Sequence, residues 1–205
     1  MTINHEKKLI FIHIPKNAGT SIIKSMGVEN IYFDKTIEQY KEYYKDYWIK
    51  YTKFTVIREP IDRFISAYKF ARMKESGWFS ATGEEGLRKH DHYDLCNKMN
   101  INEYVEYIYT HPRELKWWII PQSWIITDAN QKIEIDYFVK YENLLEDLQK
   151  IDINNLEKLN TSKIEDVSFI QLSKKSKSLL SEIYDIDYKN FHYQKLIPSL
   201  SYQYI

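Results

Sequence analysis

A lysine, a glycine and two hydroxyls gathered at the end of a short apolar run are the strongest sign of chemistry in this chain. Leu9-Ile10-Phe11-Ile12-His13-Ile14 reads as a buried strand, and it runs into Pro15-Lys16-Asn17-Ala18-Gly19-Thr20-Ser21 at the start of a helix through Met26. Lys16 brings positive charge and Gly19 permits close backbone approach. The first amides of the helix have no intrahelical partner, so the loop is suited to hold phosphate. It is not a Walker A loop, in which the lysine follows the second glycine, because here Lys16 opens the loop. The competing reading is an ordinary strand-to-helix turn with Thr20 or Ser21 as N-cap.

A second anion-reading element follows a second apolar run. Lys53 to Ile57 predicts another buried strand, and Arg58-Glu59-Pro60-Ile61-Asp62-Arg63-Phe64-Ile65-Ser66-Ala67-Tyr68 predicts a helix, with Pro60 in its first turn. Arg58 then stands at the carboxyl end of a strand, where open parallel sheets bind ligands. If the two strands are neighbours, Arg58 and the Lys16 loop share one crevice.

These residues resemble the sulfotransferase superfamily that uses 3'-phosphoadenosine 5'-phosphosulfate (PAPS), and within it the carbohydrate-type branch of the heparan and chondroitin enzymes and their bacterial relatives. In that family P-K-x-x-G-T-S holds the 5'-phosphosulfate and R-x-P-x-x-R-x-x-S-x-Y holds the 3'-phosphate. Both occur here, as Pro15 to Ser21 and as Arg58, Pro60, Arg63, Ser66 and Tyr68. The likeness continues through Pro121 to Asp128, Ile135 to Leu144, Leu159 to Ser162 and Ile183 to Tyr188, nearly the whole chain.

The resemblance implies a P-loop-like α/β fold, a three-layer domain with a central parallel sheet flanked by helices. It implies PAPS as donor, adenosine 3',5'-bisphosphate as product and a saccharide, glycolipid or small-molecule acceptor. The donor-binding set is Pro15, Lys16, Asn17, Ala18, Gly19, Thr20, Ser21, Arg58 and Ser66, with Thr161 and Ser162 as a late loop closing over the nucleotide. Arg63 either binds or forms a structural ion pair. Gln122 and Trp124 shape the donor or acceptor pocket or sit in a hairpin core.

Sulfuryl transfer must neutralise a departing bridging oxygen and remove the acceptor's proton. Lys16 fits the first task; a cation and oriented amides suffice for it, so no metal is implied. For the second, related enzymes use a His or Glu between the two motifs, yet no histidine lies between Ile14 and Arg58. Asp34 stands in the matching register, and it is equally suited to cap the helix that follows. His90 and His92 are alternative bases, although a histidine pair in a polar loop is otherwise exposed. His13 reads as a packed strand residue bracing the turn.

The elements that must position these groups alternate. The helix after Gly19 and a tyrosine-rich helical stretch from Thr36 to Trp48 separate the two strands, and the helix after Arg58 runs to about Lys74. From Glu75 to Asn100 the pattern breaks, which reads as a mobile insertion at about 75–100, a lid, an acceptor segment or a plain surface loop. Asn102 caps a helix through Tyr109; Trp124 to Ile135 reads as a hairpin turning at Asp128 to Gln131; Tyr137 to Val139 is a further strand; Leu144 to Ile151 and Ser168 to Tyr188 are amphipathic helices.

With 205 residues, 43% of them hydrophobic, the chain reads as a single domain over 1–205. Its 29 basic and 29 acidic residues cancel, so no global field recruits nucleic acid and anion binding must be local. A lone cysteine, Cys96, forms no intrachain disulfide. With no signal-like or membrane-spanning run, the reading is a cytoplasmic bacterial-type enzyme. The misplaced lysine weighs against the alternative of a P-loop kinase or nucleotidase; the missing histidine keeps open a degenerate, nucleotide-binding member.

Overall fold

A computed structural model describes residues 2–28, 35–74, 92–156 and 167–195. The chain forms two compact units interleaved in sequence: Met1–Glu59 with Ile120–Thr161, and Pro60–Ile119 with Ser162–Ile205.

The first unit carries the sheet. Strands β1 (Ile3–Asn4), β2 (Leu9–Ile12), β3 (Thr52–Ile57) and β4 (Tyr137–Lys140) lie in the order β1-β2-β3-β4. β2, β3 and β4 are parallel, with Phe11 opposite Phe54 and Val56 opposite Val139. β2 is buried at every position, as a parallel strand covered on both faces must be. Phe11 and Phe54 stack at 5.0 Å between ring centroids, in a core with Ile22, Met26, Val139 and Leu148. The sheet is mixed rather than wholly parallel, because β1 pairs antiparallel with β2. Two residues give too short a pattern to read from sequence.

Helices α1 (Gly19–Ser25), α2 (Ile37–Tyr43) and α3 (Lys45–Trp48) join β2 to β3. Thr36 starts α2 with a reciprocal capping box to Gln39, which explains why this stretch is helical from its first turn. Buried Tyr40 reaches back to β2, its hydroxyl accepting the His13 backbone N–H at 3.1 Å.

The expected hairpin from Trp124 is a helix instead, Gln122–Ile126. Gln122, Ser123, Ile125 and Ile126 are buried while Trp124 is 52% exposed. That is the one-sided pattern of a helical turn; a strand would bury alternate residues. Only the isolated bridge Thr127–Ile133 remains of the hairpin. The turn itself forms as expected, with the Asp128 carboxylate accepting the N–H groups of Asn130 and Lys132, both at 2.9 Å.

The second unit is helical. Helix α4 (Pro60–Ala71) buries Ile61, Phe64, Ile65 and Tyr68 against residues of the helices Ile101–Thr110, Lys174–Ile183 and Asp185–Phe191. Asn100, two residues earlier than expected, caps Ile101–Thr110: its side chain accepts from Asn102 and Glu103 while Glu103 accepts from Asn100 N. The stretch expected as one helix over Ser168 to Tyr188 is split, with Ser173 capping Lys174–Ile183 and Tyr184 standing between the last two helices. Of the expected insertion, 75–91 lies outside the described residues. The remainder is not a loop: Tyr93–Lys98 is a helix that buries Cys96.

Candidate functional site

Between β2 and α1 the backbone is strained in a specific way. Lys16 has φ 71° and Ala18 φ 60°, while Asn17 between them keeps the ordinary sign. Each side chain in the left-handed region costs on the order of 1 kcal/mol or more, and such strain persists only where surroundings impose it. Alternating signs of φ turn successive amides toward one concavity, the geometry of backbone anion nests. Ala18 is the N-cap of α1 and supplies no side-chain cap, so the reading of Thr20 or Ser21 as N-cap does not hold; both lie inside the helix.

Gly19 is required by a neighbour within the protein. A Cβ there would stand 2.2 Å from the imidazole of His13, which is buried and packs beneath the first turn. His13 therefore braces the loop, and Gly19 gives it room.

What imposes the strain on the other side is a set of buried amides. The Asn17 Nδ2 donates to the Val56 carbonyl at 2.6 Å and to the Gln122 Oε1 at 2.7 Å. The same Gln122 oxygen accepts the Arg58 N–H at 3.0 Å, and Gln122 Nε2 donates to the Arg58 carbonyl at 2.8 Å. Gln122 thus continues the ladder beyond the end of β3. Each amide's orientation follows from the next: the Val56 carbonyl demands a donor from Asn17, so Gln122 must offer its oxygen. Asn17 Oδ1 is left buried without a hydrogen-bond partner among the described residues.

The Arg58 side chain closes the arrangement. Its Nη1 donates to the Lys16 carbonyl at 3.0 Å, and its guanidinium lies 4.0 Å from the centre of the Tyr141 ring, just past β4. The parallel pairing of β2 with β3 brings Lys16 and Arg58 together, as the sequence implied. Glu142, next to Tyr141, accepts the Glu59 N–H at 2.7 Å, so the ends of β3 and β4 are tied as well.

Pro15, Lys16, Asn17, Ala18, Gly19, Thr20, Ser21 and Arg58 all belong to the first unit. Ser66 lies half-buried on α4 in the second unit, and Arg63 is buried there with Nη2 donating to the Trp118 carbonyl. Asp34, His90, Thr161 and Ser162 lie outside the described residues.

His92 is not an exposed loop histidine. It is 1% exposed within the second unit, with Nδ1 at 2.8 Å from the Tyr104 hydroxyl and Nε2 at 3.4 Å from Glu114, ringed by Tyr104, Tyr107 and Trp118. Among the described residues no cluster of His, Cys, Asp or Glu could hold a metal ion.

Tyr141 and the amide pair are the site features that sequence reading did not resolve. In the sequence Gln122 is only a pocket-shaping candidate and Tyr141 only part of a resembling stretch; their partners are backbone groups, the Asn17 amide and a guanidinium, which leave no periodic signature.

The sheet is mixed but mostly parallel and flanked by helices, an α/β fold that carries the lysine-bearing loop just past β2. The model of the Sulfotransferase family matches residues 1–194, and the chain belongs to that family. Comparison with curated proteins and comparison with solved structures each find no match. Membership makes the protein a transferase of sulfuryl groups in the general sense. Among the described residues, no helix is long and apolar enough to cross a membrane.

Proposed function

We propose that the protein transfers a sulfuryl group from PAPS to an acceptor hydroxyl, of a saccharide or glycolipid. The observation that carries this reading is the strained, alternating loop from Lys16 to Ala18, with Arg58 fastened to its Lys16 carbonyl. Such a loop brings amide donors together with Lys16 and Arg58, which suits a phosphosulfate.

The donor supplies an activated sulfuryl group on a phosphate. In transfer, the bond from sulfur to the bridging phosphate oxygen breaks as a bond to the acceptor oxygen forms. The acceptor's proton passes to a base, and the phosphate leaves with added negative charge. The Lys16 ammonium offsets that charge, and the amides about Asn17 to Thr20 hold the 5'-phosphate. Arg58 presents a planar fork to the 3'-phosphate, and we assign Ser66, Thr161 and Ser162 to nucleotide binding from the family resemblance. Asp34 is the base we assign, since His92 is enclosed by its own unit. The family match runs through both units, which supports one functional domain over 1–205.

Two measurements test this. Adenosine 3',5'-bisphosphate should raise the melting temperature with no metal present; protection by Mg-ATP alone would instead make the protein a nucleotide kinase or nucleotidase. Labelled sulfate should pass from PAPS to an acceptor in a saccharide and glycolipid panel. Lys16→Ala should abolish that transfer while leaving the melting temperature nearly unchanged, and an active Lys16→Ala enzyme would refute the mechanism.

A further inference from the structure

We infer that Gln122 is a positioning residue for donor binding: its side-chain amide, through Asn17 and the Arg58 backbone, holds the Lys16 loop and the Arg58 guanidinium at a fixed separation. This rests on the reading of that loop as the donor site.

Gln122 and Asn17 are both 0% exposed, so each unmade hydrogen bond there is costly and each made one is rigid. Asn17 lies between the two left-handed residues of the loop. Its Nδ2 binds the Val56 carbonyl and Gln122 Oε1 together. Gln122 in turn takes both backbone groups of Arg58. Loop, strand end and cation are therefore linked through one amide. A shift of Gln122 moves Arg58 and Asn17 at once, and the Lys16 carbonyl follows through Arg58 Nη1. In the helix that carries Gln122, Ser123, Ile125 and Ile126 are also buried, while Trp124 is 52% exposed.

The pattern demands one donor and one acceptor from position 122. Gln122→Glu keeps shape and acceptor but, when ionised, sets a carboxylate oxygen against the Arg58 carbonyl. When protonated, the introduced carboxyl donates to that carbonyl again. The substitution therefore makes the positioning pH-dependent, which a merely space-filling role does not.

The test is calorimetric titration of adenosine 3',5'-bisphosphate into the full-length protein and into Gln122→Glu, at pH 8 and pH 5.5. Relative to the unsubstituted protein at the same pH, the variant should bind about tenfold more weakly at pH 8 and recover to within about threefold at pH 5.5. Equal binding at both values, or an equal deficit at both, overturns the inference. If Gln122→Glu does not fold, Asn17→Ala, which removes the loop's end of the link, should weaken binding by a similar factor, and unchanged affinity there overturns it equally. Failure of the unsubstituted protein to bind the nucleotide refutes the donor-site reading itself, and this inference with it.

Discussion

The Arg58 guanidinium donates through Nη1 to the Lys16 carbonyl at 3.0 Å, so the cation at the end of β3 is fastened to the backbone of the loop at the end of β2. One face of the same guanidinium lies against Tyr141 at 4.0 Å. Arg58 is thus both a prospective phosphate ligand and a clasp for the loop.

A lysine cannot do both. Arg58→Lys keeps the charge but loses the flat face for Tyr141 and the fixed fork. Affinity for adenosine 3',5'-bisphosphate should fall by about tenfold or more, since bonds from a charged donor are each worth about 1.5–3 kcal/mol. Calorimetry reads this, and an Arg58→Lys protein that binds as tightly as the original would show that only the charge matters.

The contact of Gly19 with His13 makes a paired prediction. Gly19→Ala places a Cβ 2.2 Å from the imidazole and should destabilise the protein by about 1–3 kcal/mol, read by denaturant unfolding. Adding His13→Ala should restore part of that loss, because the clash partner is gone. If the two substitutions simply add within about 0.5 kcal/mol, the imidazole is not what excludes a side chain there.

Acid sensitivity should trace in part to Glu134. The Trp48 indole N–H, at 3.0 Å, and the Lys41 ammonium, at 3.0 Å, hold its carboxyl down at about 2. The folded state therefore keeps this carboxylate charged while the unfolded chain protonates near 4.5. Its contribution is complete above about pH 4.5 and is lost as pH falls toward about 2. Glu134→Gln should be less stable at neutral pH and should show a shallower fall of melting temperature across that window. A parallel decline in both proteins would contradict the assignment.

Cys96 should be inert in the folded protein. It is fully buried, and burial pushes its thiol up to about 12, so almost no thiolate exists at pH 8. Iodoacetamide should leave it unmodified under native conditions and label it after denaturation. Rapid native labelling would mean that the Tyr93–Lys98 helix opens readily.

The strands flanking the site were legible because their signals are local. Leu9 to Ile12 and Thr52 to Ile57 are apolar runs ending in a lysine loop and an arginine. The helix Gln122–Ile126 replaces an expected strand: Trp-Ile-Ile-Thr has strand-like composition, and only the burial of consecutive residues, Gln122 with Ser123 and Ile125 with Ile126, reveals the turn. The cap falls on Asn100 rather than on the expected Asn102, because Asn100 and Glu103 have the capping-box spacing.

The family, the loop and the charges are all written in the order of residues: Pro15 to Ser21 and the run from Arg58 are contiguous motifs whose chemistry belongs to the residues themselves. Tertiary structure decided how those charges are held. Gly19 owes its place to His13 behind the first turn of α1, and Lys16 and Ala18 keep left-handed backbones in a loop whose Asn17 is pinned to Val56 and Gln122. Gln122 lies more than a hundred residues from Asn17 and meets it at 2.7 Å. A hydrogen bond between distant residues leaves no spacing to read, since its partner is chosen by the fold.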